Sequence, residues 1–279
     1  MVQKTRATEP VRVALVSLGC AKNLIDSEVI LGRVGAGPYQ IVRDPEAADV
    51  AVVNTCGFID AAREESLRTI EEMLLLKRRG VLQGVLVAGC MVKRFRDELL
   101  TKLPEVDAFL DISDYADVVG AIEGLRRGRR VKHLRGGRAK SGTTDLGRAL
   151  LTPEHFAYLR VSEGCDYKCT FCVIPHIRGL HVSKPLPVLA QEAAELAELG
   201  VKEIALVGED ITSYGKDIGL RGGLVPLLQA LSLVEGIEWI RLLYTHPPVP
   251  STRCWTSSST IASWCRTSTC RSSTSTTRS

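Results

Sequence analysis

Short apolar runs alternate with longer amphipathic stretches along the first half of the chain. Three runs predict β-strands, at residues 13–17, 50–54 and 85–88. Residues 60–77 predict a helix, because apolar residues recur at helical spacing, acids fill the first half and Gly80 follows the basic end. Residues 114–125 predict a further helix. We therefore expect residues 1–125 to form an α/β domain around a mostly parallel sheet.

The same alternation returns in the second half of the chain. Strands are predicted at residues 157–162, 203–208 and 237–244, and helices at residues 187–199 and 224–234. Successive βα repeats of this kind are typical of the start of a TIM-like barrel, in which ligands bind at the carboxyl ends of the strands. We therefore predict an incomplete TIM-like barrel over residues 151–246.

Residues 126–150 lack this pattern and predict a linker between the two domains. Eight Lys and Arg residues lie between Arg126 and Asp145, which is the first acidic residue of the segment. We favour a solvated strap for this segment. A contact with ribosomal RNA or another anionic surface stays open as the alternative.

Residues 247–279 are rich in Ser, Thr and Arg, contain Trp and Cys, and follow neither a helical nor a strand period. A natural low-complexity tail is normally poor in Trp and Cys. We favour the alternative, out-of-frame translation of a GC-rich gene, in which the frame one base earlier would read Glu-Val-Leu at residues 253–255. Accordingly, we expect no contribution to a site from Cys254, Cys265 or Cys270.

Composition changes this picture at one point, the cysteines. With 45% hydrophobic residues in a chain of 279, the protein is expected to fold, and the net charge of +4 does not by itself favour nucleic acid as a partner. No apolar run is long enough to span a membrane and no secretory signal is apparent, so we expect a cytoplasmic protein. Nine cysteines in a reducing compartment favour metal ligation or redox chemistry over disulfides.

Three cysteines form a C-x3-C-x2-C motif directly after a predicted strand: Cys165, Cys169 and Cys172. Three thiolates on one loop can bind three irons of a 4Fe-4S cluster and leave the fourth iron open to a ligand that is not protein. In radical enzymes S-adenosylmethionine occupies that position and receives one electron. The alternative is a zinc knuckle with His176 as a fourth ligand.

Residues near this motif are candidates for binding S-adenosylmethionine. Phe171 is predicted either to shield the cluster or line the adenine site, or else to be a core residue. Gly208 and Glu209 end the next predicted strand, where a carbonyl and a carboxylate can receive the methionine ammonium. For Asp210 a helix cap is an equal alternative, and for Arg178 the alternatives are an anion contact and a surface salt bridge.

A second set of cysteines is dispersed, with Cys20, Cys56 and Cys90 each lying just past a predicted strand. In a parallel sheet those strand ends face the same edge, so the three thiols can converge on a second cluster. The alternative for each residue alone is a small buried apolar side chain. For the polar residues that follow Cys20 (Asn23, Asp26, Ser27 and Glu28) we expect helix capping, and for Asn54 and Thr55 a role in shaping the turn.

Together, the two cysteine sets resemble the methylthiotransferase family of radical S-adenosylmethionine enzymes. The resemblance covers residues 11–246 and rests on the segments SLGCAKNLIDSE, VVNTCGFIDAAREES and YLRVSEGCDYKCTFCVIPHIRG. Lys22, Asn23, Phe171 and the DITSYGKD stretch are similar to the branch that modifies an aspartate of ribosomal protein uS12. The branch that modifies tRNA adenosine is the alternative, and a non-catalytic metal-binding remnant is the alternative of another class.

The resemblance implies two 4Fe-4S clusters, S-adenosylmethionine, and a transferase reaction on the aspartate β-carbon. It implies that Cys165, Cys169 and Cys172 bind the radical-generating cluster and that Cys20, Cys56 and Cys90 bind an auxiliary cluster that delivers sulfur. The implied partners are uS12 or the small ribosomal subunit and an electron donor such as flavodoxin or ferredoxin. Family members continue past His246 with more barrel and a further domain, so we expect this chain to be truncated, with its activity in doubt.

Overall fold

The computed structural model describes residues 10–113, 115–128 and 144–245. These residues form two compact units, one of residues 10–128 with Gly147–Leu151 and one of residues 144–146 with residues 152–245. The central part of the predicted basic linker, residues 129–143, lies outside the described residues. So do His246 and the segment 247–279, for which an out-of-frame origin is predicted.

The first unit is built on one parallel sheet of five strands, in the order β2-β1-β3-β4-β5. The strands are β1 (Val11–Ser17), β2 (Tyr39–Val42), β3 (Val50–Thr55), β4 (Gly84–Gly89) and β5 (Ala108–Leu110). The helices are α1 (Ala21–Gly35), α2 (Asp60–Arg78), α3 (Cys90–Lys102) and α4 (Val118–Arg126), with 3-10 turns at Pro45–Ala47 and Tyr115–Asp117.

Helices cover both faces of this sheet. Every residue of β3 and of β4 is buried, so these strands are nearly continuous apolar runs. Side chains that alternate along them form two cores: Val53 and Val87 pack with α2 and α3, whereas Val52 and Leu86 pack with α1 and α4. The predicted α/β domain with a parallel sheet is confirmed.

The second unit contains a three-stranded parallel sheet in the order β10-β9-β6. Its strands are β6 (Phe156–Arg160), β9 (Glu203–Val207) and β10 (Trp239–Leu242), and an antiparallel pair joins β7 (Ser162–Glu163) to β8 (Val182–Ser183). The helices are α5 (Ile174–Ile177), α6 (Leu186–Glu198) and α7 (Leu224–Ser232), with a 3-10 turn at Ile211–Ser213. Within the described residues the sheet is open, as predicted for an incomplete barrel.

Sequence patterns placed most of these elements within two or three residues of their observed ends. The edge strands β2 and β5 of the first sheet were not predicted, and neither was the short antiparallel pair of β7 and β8. Helix α3 was also not predicted, and its backbone departs from helical angles at Phe95 (φ −121°, ψ 29°). None of the helices in the described part of the chain is both long and apolar enough to cross a membrane.

The end of the predicted linker packs instead of lying in solvent. Asp145 is buried in the second unit, and Arg148 is buried in the first unit. Glu28 of α1 holds the latter part: its backbone carbonyl accepts from the Ala149 N–H at 3.0 Å and its Oε1 accepts from the Leu151 N–H at 2.9 Å. The solvated-strap interpretation therefore does not apply to Asp145 or Arg148, whereas Thr144 and Gly147 are exposed.

The cores of the first unit provide a direct test of its packing. Leu74 of α2 is 2% exposed and packs in the core against β3 and β4, whereas Leu75 beside it is 52% exposed. We expect Leu74→Ala to lower the free energy of unfolding by about 2–5 kcal/mol, because it removes buried contacts and leaves a cavity. The matched change Leu75→Ala is expected to cost less than about 1 kcal/mol. Urea denaturation of both variants measures the difference, and equal losses would contradict this packing.

Candidate metal centres

The first cysteine set lies at the carboxyl edge of three neighbouring strands. Cys56 follows β3 directly, Cys90 follows β4 directly, and Cys20 follows β1 after a two-residue turn. The sheet order places β1, β3 and β4 side by side, with Ser17 opposite Asn54 and Thr55 opposite Gly89. Cys20 is exposed, whereas Cys56 and Cys90 are buried. The predicted convergence of the three strand ends is confirmed, and metal binding by the thiols stays a prediction.

Glycines allow the three turns to approach one another. A Cβ on Gly19 would lie 2.8 Å from the Cβ and 3.3 Å from the Sγ of Cys56, and the φ angle of Gly19 is +95°. A Cβ on Gly89 would lie 2.5 Å from both the Asn54 Oδ1 and the Thr55 carbonyl oxygen, at a φ of +103°. Any side chain at either position would therefore push the neighbouring turn away from the cysteine beside it.

The polar residues after Cys20 bind across the sheet edge, and the capping interpretation is wrong for them. Helix α1 has Cys20 at its N-cap and receives no hydrogen bond from a capping side chain. Instead the Asn23 Nδ2 donates to the carbonyl oxygens of Leu18 at 3.1 Å and Thr55 at 2.9 Å. The Asn54 side chain in turn donates to the Asn23 carbonyl at 2.8 Å. The contacts with Asn54 and Thr55 leave no local sign in the sequence, because these residues are 31 and 32 positions from Asn23.

The second cysteine set lies on the loop between β7 and α5. Cys169 is exposed, and Cys165 and Cys172 are partly exposed. The ends of the loop are tied together, because the Cys165 N–H donates to the Gly179 carbonyl at 3.1 Å. Within the loop the Cys172 N–H donates to the Cys169 carbonyl at 3.1 Å. The loop is therefore held by backbone hydrogen bonds at Cys165 and Cys172, with Cys169 exposed between them.

A chain of buried ion pairs supports this loop from below. Arg178, just after the loop, donates to the Glu163 carboxylate at 3.1 Å, and Arg160 donates to the same carboxylate at 2.7 Å. Arg160 also binds Asp145 at 3.1 Å, and Lys184 links Asp145 to Glu192 through contacts of 2.7 Å each. Arg178 is buried, so the surface salt bridge considered for it is instead an internal one. The charges of the three cations and the three anions cancel, and this balance allows the network of ion pairs to be buried within the second unit.

An acidic cavity of about 430 Å³ opens beside Cys165. Three carboxylates line it, those of Asp166, Asp210 and Asp217, together with Lys216. Burial and the negative charges of Asp210 and Glu209 raise the pKa of the Cys165 thiol, against a hydrogen bond from the Tyr167 backbone. Excess negative charge in a partly enclosed cavity favours a cationic ligand.

Of the candidates near the motif, Phe171 is 87% exposed, so the core interpretation is wrong for it. Gly208 and Glu209 follow the central strand β9, and a Cβ on Gly208 would lie 2.7 Å from the Ser162 Oγ. Asp210 does cap the 3-10 turn, accepting from the Thr212 N–H at 2.9 Å and the Ser213 hydroxyl at 2.6 Å. His176, the candidate fourth zinc ligand, is exposed on α5.

Sequence reasoning gave no role in the cavity to most of its lining residues, His181 and Asp217 among them, although Asp217 ends the DITSYGKD stretch. His181 is buried, its Nε2 lies 3.1 Å from the Ser183 Oγ, and its Nδ1 has no hydrogen-bond partner within the described residues. Asp217 lies 34 positions beyond Ser183 and accepts from its N–H at 2.8 Å. The antiparallel β7–β8 pair brings this segment to the cysteine loop, and no periodic pattern signals so short a pair.

The two cysteine sets offer the donor chemistry of an iron-sulfur cluster. The six described cysteines are free thiols, with Cys90 the first residue of α3 and the other five in turns or loops. Thiolates are the ligands that a 4Fe-4S cluster binds. Over residues 10–113, 115–128 and 144–245, no group of three His, Cys, Asp or Glu side chains is already placed to hold one metal ion, so metal binding at either set stays a prediction.

Two protein families match this chain in the order of its two units. Residues 12–111 match the uncharacterized protein family UPF0004, which covers all three cysteines of the first set. Residues 159–249 match the radical SAM superfamily, which covers the C-x3-C-x2-C loop.

Curated relatives match across both units. The chain is 44% identical over 243 residues to the ribosomal protein uS12 methylthiotransferase RimO of Symbiobacterium thermophilum, covering 86% of this chain and 50% of the relative. It is 43% identical over 239 residues to the protein of the same name from Clostridium kluyveri, covering 86% and 53%. The chain thus spans about half the length of the curated relatives it matches.

Among solved structures, the chain is similar to a radical S-adenosylmethionine methyltransferase, TsrM, from Kitasatospora setae, with cobalamin and a [4Fe-4S] cluster bound. The TM-score is 0.49 at 11% identity, and the match covers 84% of this chain and 60% of TsrM. A similarity at this level supports no conclusion about the chemistry of this chain.

The close approach of the turns predicts a specific sensitivity at Gly89. We expect Gly89→Ala to lower the free energy of unfolding by about 1–2 kcal/mol through its backbone angle and by about 1–3 kcal/mol more through the clash with Asn54 and Thr55. Gly80→Ala is the matched control, because Gly80 also has a positive φ, of +78°, and no atom lies within 4 Å of its Cβ position. Chemical denaturation of both variants measures the excess. If Gly80→Ala is as costly as Gly89→Ala, the close approach has no energetic weight.

The buried ion pairs predict how the second unit responds to acid. Burial alone would raise the pKa of Asp145, but the charges of Arg160 and Lys184 hold it well below its usual range. A carboxylate of this kind stabilises the folded state above its unfolded pKa, about 4, and loses that contribution as the pH falls towards its folded pKa. We expect Asp145→Asn to lower the free energy of unfolding by about 3–5 kcal/mol at neutral pH. As the pH is lowered, the free energy of unfolding of the variant is expected to fall less than that of the parent.

Denaturant titrations from about pH 7 to about pH 3 measure this effect. Glu238→Gln is the control, because its ion pair with Lys202 is 3.6 Å long and lies between side chains that are 60% and 52% exposed. That change is expected to alter stability by less than about 1 kcal/mol. Equal costs for the two variants would show that the buried chain stabilises the unit no more than a surface pair does.

Proposed function

Because this chain belongs to the methylthiotransferase family of radical S-adenosylmethionine enzymes, we propose that it carries the two cluster-binding parts of a uS12 methylthiotransferase. The proposed reaction adds a methylthio group to the β-carbon of an aspartate in ribosomal protein uS12. One observation carries the proposal: two three-cysteine sets occur in two α/β units, in a chain 44% identical to a curated uS12 methylthiotransferase. The proposed partners are uS12 and the small ribosomal subunit.

In the second unit, Cys165, Cys169 and Cys172 would hold a 4Fe-4S cluster with one iron left for S-adenosylmethionine. When bound, this cluster supplies the single electron that cleaves the sulfonium of S-adenosylmethionine. The chain's own contribution is to place the thiols: the Cys165–Gly179 hydrogen bond closes the loop, and the Glu163 pair with Arg178 fixes its base. Cys169 is exposed and Cys165 and Cys172 are partly exposed, so the loop is accessible to a small ligand.

The residues around the loop suit a positively charged ligand. S-adenosylmethionine carries a sulfonium and an ammonium group, and the cavity beside Cys165 is lined by more carboxylates than cations. In the proposal Glu209 accepts a hydrogen bond from the ammonium and the Gly208 backbone lies against the methionine part. Phe171, exposed within the motif, is free to cover the cluster or the adenine ring.

In the first unit, Cys20, Cys56 and Cys90 would hold the auxiliary 4Fe-4S cluster. When bound, this second cluster supplies the sulfur that is transferred to the aspartate, with a methyl group from another S-adenosylmethionine. The chain contributes a rigid edge, because the ends of β1, β3 and β4 are fixed by the sheet register. The exposed Cys20 leaves this site accessible from solvent, as a reaction with a protein side chain requires.

Both clusters need reduced thiols and a source of single electrons. The six described cysteines form no disulfide. A cytoplasmic location and a one-electron donor such as flavodoxin or ferredoxin therefore form part of the proposal.

Anaerobic reconstitution with iron and sulfide tests the proposal. We expect about eight irons per chain, and about four in Cys56→Ser and in Cys169→Ser, because each variant loses one cluster of four irons. With reductant and S-adenosylmethionine, we expect deoxyadenosine from the parent chain and from Cys56→Ser but not from Cys169→Ser. Cys254→Ser is the control, since Cys254 belongs to neither set, and it should match the parent in both measurements.

Each result bears on a separate part of the proposal. Deoxyadenosine that persists in Cys169→Ser would contradict the assignment of the radical-generating cluster. An iron content that stays at eight in Cys56→Ser would contradict the auxiliary cluster. Stoichiometric zinc in place of iron would favour a non-catalytic metal-binding module. Incubation with uS12 and mass spectrometry of the target aspartate then tests the substrate.

A further inference from the structure

We propose that Asn23 is the positioning residue of the first cysteine set, a single buried amide whose two N–H donors join the turn before Cys20 to the turn bearing Cys56 and whose oxygen contacts Cys90 while its thiol is protonated. This inference rests on the proposed auxiliary cluster and deepens it. Asn23 has no solvent exposure and lies in the first turn of α1, three positions after Cys20. Its position alone would predict a capping role, but its contacts assign it another.

The Asn23 side chain contacts three turns, two through its Nδ2 and one through its Oδ1. The Nδ2 donates to the Leu18 carbonyl at 3.1 Å, which fixes the turn before Cys20. It also donates to the Thr55 carbonyl at 2.9 Å, next to Cys56. The Oδ1 accepts from the protonated Cys90 thiol, with 3.4 Å between Sγ and Oδ1, and Cys90 would give up this contact on binding iron as a thiolate. The two donated bonds, near Cys20 and Cys56, do not depend on a thiol proton.

The geometry also fixes the orientation of the amide. An amide has two N–H donors, and here they serve the carbonyls of Leu18 and Thr55. A flip of the group would point the Oδ1 at two carbonyl oxygens, so the Oδ1 is held towards Cys90. Asn54 reinforces this arrangement from outside, because its Nδ2 donates to the Asn23 carbonyl at 2.8 Å and to the Ser27 Oγ at 2.8 Å.

The carbonyls that Asn23 satisfies lie where the sheet ends. At the carboxyl ends of β1 and β3 the ladder can no longer supply all partners, and buried carbonyls without a donor are costly. Asn23 supplies the donors and joins the two strand ends in doing so. Groups that orient metal ligands from behind in this way typically contribute about 10-fold to 100-fold in metal affinity when intact.

The test compares the metal-binding and stability effects of two Asn23 variants. Asn23→Leu keeps the volume but removes every polar atom, and Asn23→Asp keeps the shape but lacks both N–H donors. Each is made in the full chain with Cys165, Cys169 and Cys172 replaced by Ala, so that only the first site can hold a cluster. After reconstitution, iron and sulfide content, visible absorption and iron retention against a chelator are measured, and melting temperatures are measured before reconstitution.

Asp107→Ala is the matched control for stability. Asp107 is also buried and also ties two parts of the sheet, since its Oδ2 accepts from the Val85 N–H at 2.9 Å and from Lys77 at 2.5 Å. It directly precedes β5, beside the amino end of β4, and so lies at the opposite edge of the sheet from the cysteines. We expect all three variants to melt at lower temperature, and only the two Asn23 variants to retain iron about 10-fold less well than the parent.

Several outcomes overturn the inference. If the Asn23 variants retain iron as the parent does, with an unchanged spectrum, the amide does not position the cysteines. If Asp107→Ala loses iron in the same proportion to its lowered melting temperature, or if only the Asn23 variants fail to fold, Asn23 is a general structural residue. If the parent with three intact cysteines binds no iron, the proposed auxiliary cluster fails and the inference falls with it.

Discussion

The register of three parallel strands is the constraint on which the first cysteine set depends. Hydrogen bonds between β1, β3 and β4 fix which residues end at the same edge of the sheet. A shift of one residue would turn every side chain of a strand to the opposite face, and the apolar residues on both faces resist such a shift. The packing of the two cores therefore determines where three cysteines far apart in sequence come together.

The two units reach similar ends by different physical means. In the first unit the cysteine turns are joined by neutral groups, a buried amide and close-packed glycines. In the second unit the cysteine loop rests on alternating charges that run from Arg178 to Glu192. A balanced chain of ions tolerates burial only when every member is present, so the loop is held firmly but is sensitive to the loss of one partner.

Sequence patterns could predict whatever repeats locally. Strands β3 and β4 and helix α2 were placed closely because apolar runs and helical spacing depend on residues near one another. The three-residue strand β5 is too short to show a period, and only the start of α1 was inferred, because its buried face includes Lys22, Asn23, Asp26 and Glu28. Those side chains are polar because they bind distant parts of the unit. Their partners could not be predicted from one sequence, and capping was inferred in their place.

The same reasoning explains why the cysteines could be found and the groups around them could not. A cysteine can be recognised from the sequence as a possible metal ligand, and the spacing of three cysteines is enough to predict a cluster. An amide or a carboxylate occurs on any surface, so Asn23, His181 and Asp217 become distinctive only through burial and through what they contact. When a polar side chain is buried away from water, each of its donors and acceptors needs a hydrogen-bond partner in the right direction, because an unsatisfied group is costly. Asn23 meets that requirement with its two N–H donors, which bind the Leu18 and Thr55 carbonyls and so join the ends of β1 and β3.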